Sequence, residues 1–160
     1  SRAREVFSWN PHPWFYLARS IQETDYLETL NSLESRLYKV VGGTTFLDRW
    51  AAQFWNRDFI DFRFEPCFSQ KWPDVWLNVI GDYVLIVELD RETRQIIDEI
   101  YSTVQNESEM STAKFSKIFN RKAIATIEVS RDETRAIEIR DHFRSLFVNS
   151  KSCSRELPNI

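Results

Sequence analysis

The spacing of hydrophobic and polar positions changes several times along the chain, and each change marks a new element. From about Asp25 to Val41, Tyr26, Leu30, Leu33 and Leu37 recur at helical spacing and Gly42-Gly43 stops the run, which predicts one helix there. Thr45-Phe46-Leu47-Asp48 resembles a capped helix start, and Phe46/Leu47, Trp50/Ala51 and Phe54/Trp55 continue a second amphipathic helix. From Asp58 to Glu65 the period falls to two: Ile60, Phe62 and Phe64 alternate with Asp61, Arg63 and Glu65, a half-buried strand ended by Pro66. Two apolar runs on either side of Gly81-Asp82, ending at Glu88-Leu89-Asp90, read as two strands joined by a short turn. Helical spacing returns from Arg91 to about Val104 through Ile96, Ile97, Ile100 and Tyr101. A short helix over Thr112–Asn120 and a strand over Ala123–Val129 follow. Ser130-Arg131-Asp132-Glu133, at capping-box spacing, then opens a last helix marked by Ala136, Ile139, Phe143 and Leu146/Phe147. Near the start, Pro11-His12-Pro13 opposes a helix, and a short helix is predicted from Trp14 to about Gln22. The order is helices, three strands, then helix, strand and helix. It implies an α/β or α+β architecture with a small mixed sheet of about four strands flanked by helices.

A chain of 160 residues suits one domain. Within it, residues 1–22 read as an aromatic segment packed on the rest, and 149–160 as a flexible tail. Six Trp and twelve Phe demand a core or a surface rich in large rings. A net charge of -3 argues against a protein held to nucleic acid by bulk electrostatics. The three glycines provide no glycine-rich phosphate loop, and two histidines leave little for a zinc centre. Neither His12 nor His142 stands in a recognisable order with an acid and a nucleophile, so both read as non-catalytic. Cys67 and Cys153 form no CxxC and read as two free thiols in a reducing, cytoplasmic compartment. No apolar run is long enough to span a bilayer.

The candidate chemistry lies in the acids. Glu88 and Asp90 are two residues apart, so a strand projects both from one face, and they interrupt one of the most apolar runs in the chain. A carboxylate at the end of a buried strand is costly unless it is paired, protonated or bound to a cation. Metal-dependent nucleases bring two or three carboxylates onto one divalent cation, which polarises the scissile phosphate and activates water. The candidates for such a site are Asp74, Glu88 and Asp90, with Glu34 as an outer acid. The segments Ser32-Leu33-Glu34-Ser35-Arg36-Leu37-Tyr38, Phe59-Ile60-Asp61-Phe62-Arg63-Phe64-Glu65-Pro66, Pro73-Asp74 and Val87-Glu88-Leu89-Asp90 follow one another in a telling order. Over roughly residues 25 to 130 the chain resembles the PD-(D/E)XK nuclease superfamily, in the flavour of the transposon-end and very-short-patch-repair endonucleases. The resemblance implies a restriction-endonuclease-like fold and magnesium-dependent cleavage of DNA. It makes Asp74 and Glu88 the metal ligands, gives Glu34 the orientation of a metal-bound water, and places Asp90 as a further ligand or at the position that carries lysine. An acid at that position departs from the pattern, with Lys71 and Arg91 as nearby cations, so an inactive descendant is the companion expectation.

Two considerations compete with that site. A two-residue Gly81-Asp82 loop sets Ile80 opposite Tyr83 and Asp74 opposite Leu89, on the wrong face for Glu88, unless a bulge or longer loop restores the register. A structural account of the same acids has Asp74 capping a turn after Pro73, Asp90 capping the helix from Arg91, and Glu88 pairing with an arginine. The alternating charges from Arg131 to Asp141 read as a solvated helix face. The alternative function, from another class, is a non-catalytic protein-interaction or regulatory module. Its partner, a protein or a second copy of the chain, would dock on Trp9, Trp14 and Tyr16.

Overall fold

The computed structural model describes residues 4–67, 72 and 74–148. Six strands form one mixed sheet: β1 (Glu5–Asn10), β2 (Arg36–Val41), β3 (Ile60–Phe64), β4 (Val75–Ile80), β5 (Tyr83–Leu89) and β6 (Ala125–Arg131). Their spatial order is β3-β2-β1-β4-β5-β6. The β1·β2 and β2·β3 pairs are parallel, while β1·β4, β4·β5 and β5·β6 are antiparallel. Helices α1 (Phe15–Ala18), α2 (Ser20–Ser32) and α3 (Phe46–Ala51), the last extended by a 3₁₀ turn over Ala52–Trp55, make the connections of the parallel half. The β5-to-β6 connection holds α4 (Arg91–Thr103) and α5 (Thr112–Phe119), and α6 (Glu133–Val148) follows β6.

The mixed α/β reading holds, but the sheet has six strands rather than about four. The two unforeseen strands are β1 and β2. The helix expected over residues 25–41 ends at Ser32. Leu33 and Glu34 turn the chain, Glu34 with φ +52°, and Arg36 opens β2. Leu37 falls on both a helical and an alternating template, which is why the spacing misleads. Val40-Val41, β-branched and stiff at χ1, suit the strand. The helix expected from Trp14 to about Gln22 is broken at Arg19 into α1 and α2.

Each sheet face has its own cover. On one face Phe7, Trp9, Val40, Leu77, Val79 and Val84 meet Ala136, Ile139 and Phe143 of α6, the apolar stripe expected for the last helix. Gly42 permits the close approach there: a Cβ would stand 2.4 Å from the Trp9 ring. On the opposite face, α2, α3 and the 3₁₀ turn cover β1–β3 through Leu27, Leu30, Ala51 and Trp55. The helices α4 and α5 cover the Trp76 and Leu89 end through Ile97, Ile100, Tyr101 and Phe115. The two groups of helices leave an open stretch of this second face, where Ile80, Tyr83, Ile127 and Val129 are exposed.

Capping is where residue type and position agree best. Thr45 and Asp48 form the expected capping box at α3. For α6 the acceptor is Asp132, whose Oδ1 receives the Arg135 amide at 3.0 Å. Ser130, the capping residue that the spacing of the expected box implied, instead lies within β6. Cys67 is disulfide-bonded, which corrects the expectation of two free thiols and removes the ground on which a reducing compartment was inferred. Cys153, Lys71, Pro73 and the tail 149–160 lie outside the described residues. No helix among the described residues is long and apolar enough to cross a membrane.

Candidate functional site

The four candidate acids do not converge. β4 runs antiparallel to β1 with Val6 opposite Ile80, so Asp74, just before β4, sits at the end of the sheet where β1 and β2 finish. Glu34 lies at the other end, where β2 begins, a strand length away, or roughly 15–20 Å. Glu88 pairs with Val75 and points to the α6 face, because its neighbours Val87 and Leu89 pack among the α4 residues on the opposite one. It is exposed rather than shielded. Asp74 has φ +60°, and its Oδ2 lies 2.7 Å from Arg94 on α4. The observed pairing of Ile80 with Tyr83 is the two-residue register that separates Asp74 from Glu88.

Asp90 does what a helix cap does. Its Oδ1 accepts the Thr93 amide at 2.9 Å, and its Oδ2 accepts the Thr93 hydroxyl at 2.6 Å and the Ile124 amide at 3.0 Å. With Arg121 3.5 Å away, these donors hold the carboxyl well below the usual range. One side chain thereby ties the start of α4 to the strand that follows α5. Among the described residues no group of three or more His, Cys, Asp or Glu is placed to hold a metal ion. The arrangement of Asp74, Glu88, Asp90 and Glu34 does not fit a shared magnesium.

The aromatic surface expected at the N-terminal segment is largely interior. Trp9 is fully buried against α6, and Tyr16 is buried between Phe54 and Trp55, with ring centroids 5.0 and 5.5 Å away. Trp14 is half-buried and packs on Phe15 and Trp76. Two of the three rings proposed for partner contact therefore offer no surface.

The structure instead places a buried cation at the centre of the second face. Alternation in β1 sends Phe7 and Trp9 toward α6 and Ser8 and Asn10 the other way. In β2 it sends Leu37, Lys39 and Val41 the same way as Ser8 and Asn10. Lys39 is 7% exposed. Its Nζ donates to Ser8 Oγ at 3.3 Å and to Asn10 Oδ1, and stands 5.3 Å from the Trp55 ring centroid. Burial lowers its pKa from 10.5 to about 8, partly opposed by the charge of Glu23 on α2. Glu23 is pushed up by its own burial, against the pull of Lys39 and Arg19. Lys39 and Glu23 line one cavity of about 270 Å³, with Ser8, Asn10 and Asn78 as polar walls and Phe15, Leu37, Ile80 and Leu85 among its apolar ones. The hydroxyl-bearing rings of Tyr16 and Tyr26 also border it. Sequence reading missed this site because it placed Lys39 on a helix; the signal was the alternation Leu37-Lys39-Val41.

A second polar cluster, also unforeseen, surrounds His12 at the end of β1. Its Nδ1 lies 2.9 Å from Oδ1 of the fully buried Asp48, and its Nε2 lies 3.8 Å from Asp98. Gly43 leaves room for this contact, since a Cβ there would stand 2.2 Å from Asp48 Oδ2. Burial raises the Asp98 pKa, with the His12 charge acting against it. The adjoining pocket, which Asp74 and Arg94 also line, measures about 30 Å³, the scale of a single water. The cluster joins α3 and α4 to the end of β1, with the Tyr101 ring centroid 4.3 Å from that of His12 and the Thr45 hydroxyl donating to Asp48 Oδ2 at 2.9 Å. Compared with family models, with curated proteins and with solved structures, the chain matches none.

Proposed function

We propose that this domain is a non-catalytic regulatory module that binds a small organic carboxylate in the Lys39 cavity. One observation carries the reading: an ammonium group buried against the sheet whose hydrogen-bond partners, Ser8 and Asn10, are both neutral. A lysine has three N–H donors, and two are used, so one remains for a ligand. Burying a charge costs several kcal/mol unless an opposite charge meets it with good geometry. A bound carboxylate would meet it, with the Asn78 amide as a further donor at the wall. The cavity volume falls just under the roughly 300–1,000 Å³ typical of drug-sized ligand sites, which suits a metabolite of a few heavy atoms. The dispersed acids provide no comparable support for the nuclease reading.

Isothermal calorimetry with isocaproate and its neutral amide tests the proposal. The acid should bind saturably to the wild-type domain and at least ten times more tightly than the amide, and Lys39→Met should remove the difference. Equal affinity for acid and amide, or no saturable binding of the acid, would overturn the reading.

A further inference from the structure

The charges in the cavity narrow the ligand class. Lys39 rises from the sheet floor, while Glu23 enters from α2 above it, so the same space is lined by one cation and one carboxylate. The two attract each other across the cavity without a hydrogen bond between them, for those of Lys39 go to Ser8 and Asn10. Phe15, Leu37, Ile80 and Leu85 supply apolar wall beside them. We infer that the cavity is built for a zwitterion, an α-amino acid with an apolar side chain: Lys39 takes the carboxylate, Glu23 the ammonium, and the apolar wall the side chain. The inference rests on the carboxylate-binding reading and adds to it a second, opposite charge requirement. A ligand carrying both charges sets an opposite charge beside buried Lys39 and half-buried Glu23 at once, whereas a simple carboxylate adds a second anion beside Glu23 and a simple amine adds a second cation beside Lys39.

The comparison of leucine with its deaminated and decarboxylated counterparts separates the two levels. Calorimetry at neutral pH would use the full wild-type chain and Glu23→Gln with leucine, isocaproate and isoamylamine, and with phenylalanine and hydrocinnamate as a second pair. The wild-type domain should bind at least one of the amino acids ten times or more tightly than its deaminated acid, and isoamylamine should not bind measurably. Glu23→Gln should erase the amino-acid advantage while still binding the deaminated acid saturably. That retained binding also shows that the variant is folded. Deaminated acids that bind as tightly as their amino acids would overturn the zwitterion inference and leave the carboxylate reading standing. No binding of any acid or amino acid would overturn both. An amino-acid advantage that persists in Glu23→Gln would remove Glu23 as the ammonium site and with it the inference.

Discussion

Lys39→Met is expected to stabilise the domain, by about 1–2 kcal/mol at neutral pH, while it abolishes carboxylate binding. Lowering the Lys39 pKa from 10.5 to about 8, at about 1.4 kcal/mol per pH unit, costs the fold about 3 kcal/mol. Methionine fills nearly the same volume without the charge, but it leaves Ser8 Oγ and Asn10 Oδ1 without their donor, which takes back about 1–2 kcal/mol. The pH dependence follows from the direction of the shift. Between about 8 and 10.5 the unfolded chain holds the lysine proton and the folded one releases it, so stability from this group rises with pH across that window. The other titratable groups facing the cavity are Glu23, Tyr16 and Tyr26. Glu23 acts at acid pH, and the two tyrosines, both raised by burial, subtract stability only as pH passes the ordinary tyrosine value of 10.0. Urea melts of wild type and variant at pH 7, 8, 9 and 10 should therefore show a gap that narrows upward from about pH 8. A variant less stable than wild type, or a gap independent of pH, would mean that Lys39 is not a strained cation.

Phe143→Ala should cost about 3–5 kcal/mol and lower the melting temperature by on the order of 10 °C. Phe143 is fully buried and meets Phe7 edge-to-face with ring centroids 5.6 Å apart; Phe7 in turn stacks on Tyr38 at 4.9 Å. Removing the ring opens a cavity beneath α6 where β1 and β2 cannot relax without disturbing Trp9 and Gly42. The half-buried Phe147, also packed on Tyr38, should cost less when truncated, about 1–2 kcal/mol. A loss below about 1 kcal/mol for Phe143→Ala, measured by chemical denaturation, would contradict the docking of α6 on this face.

What could be read from residue spacing follows a physical line. The antiparallel half was legible because its cues are local: Gly81-Asp82 with flanking alternation, Asp90 before a helical run, and the apolar stripe of α6. The register that parts Asp74 from Glu88 was one of the two that the Gly81-Asp82 turn left open. In the parallel half β3 and the capped start of α3 were legible from local cues, but β1 and β2 were not, because they are defined by partners far away in sequence. Phe7 and Trp9 belong to a strand because β2 and β4 flank β1, and nothing local says so. Leu33 and Leu37 matched a helical template although the chain turns between them. The site suffered for the same reason. Its polar groups Ser8, Asn10, Lys39 and Asn78 come from three neighbouring strands, two of which were not anticipated. The acids drew attention because carboxylates in apolar runs are conspicuous, but Asp90 had the simpler task of a cap.

The position of β1 also sets an order of events in folding. It is the earliest strand in the described chain and it lies in the interior of the sheet, between partners formed much later: Glu5 pairs with Arg36 on one side and Val6 with Ile80 on the other. The β4–β5 hairpin needs only its own turn to close, whereas each side of β1 must wait for a long loop to close, which costs entropy before any contact repays it. In pulse-labelled amide exchange during refolding, the amides of β4 and β5 should be protected before those of β1, and simultaneous protection would argue against this sequence. Until β4 arrives, the edge that β1 will give to it is bare, and the apolar segment Val6-Phe7 lies along it. Newly made chains of this domain therefore pass through a stage in which their future centre is the edge most open to pairing with other chains.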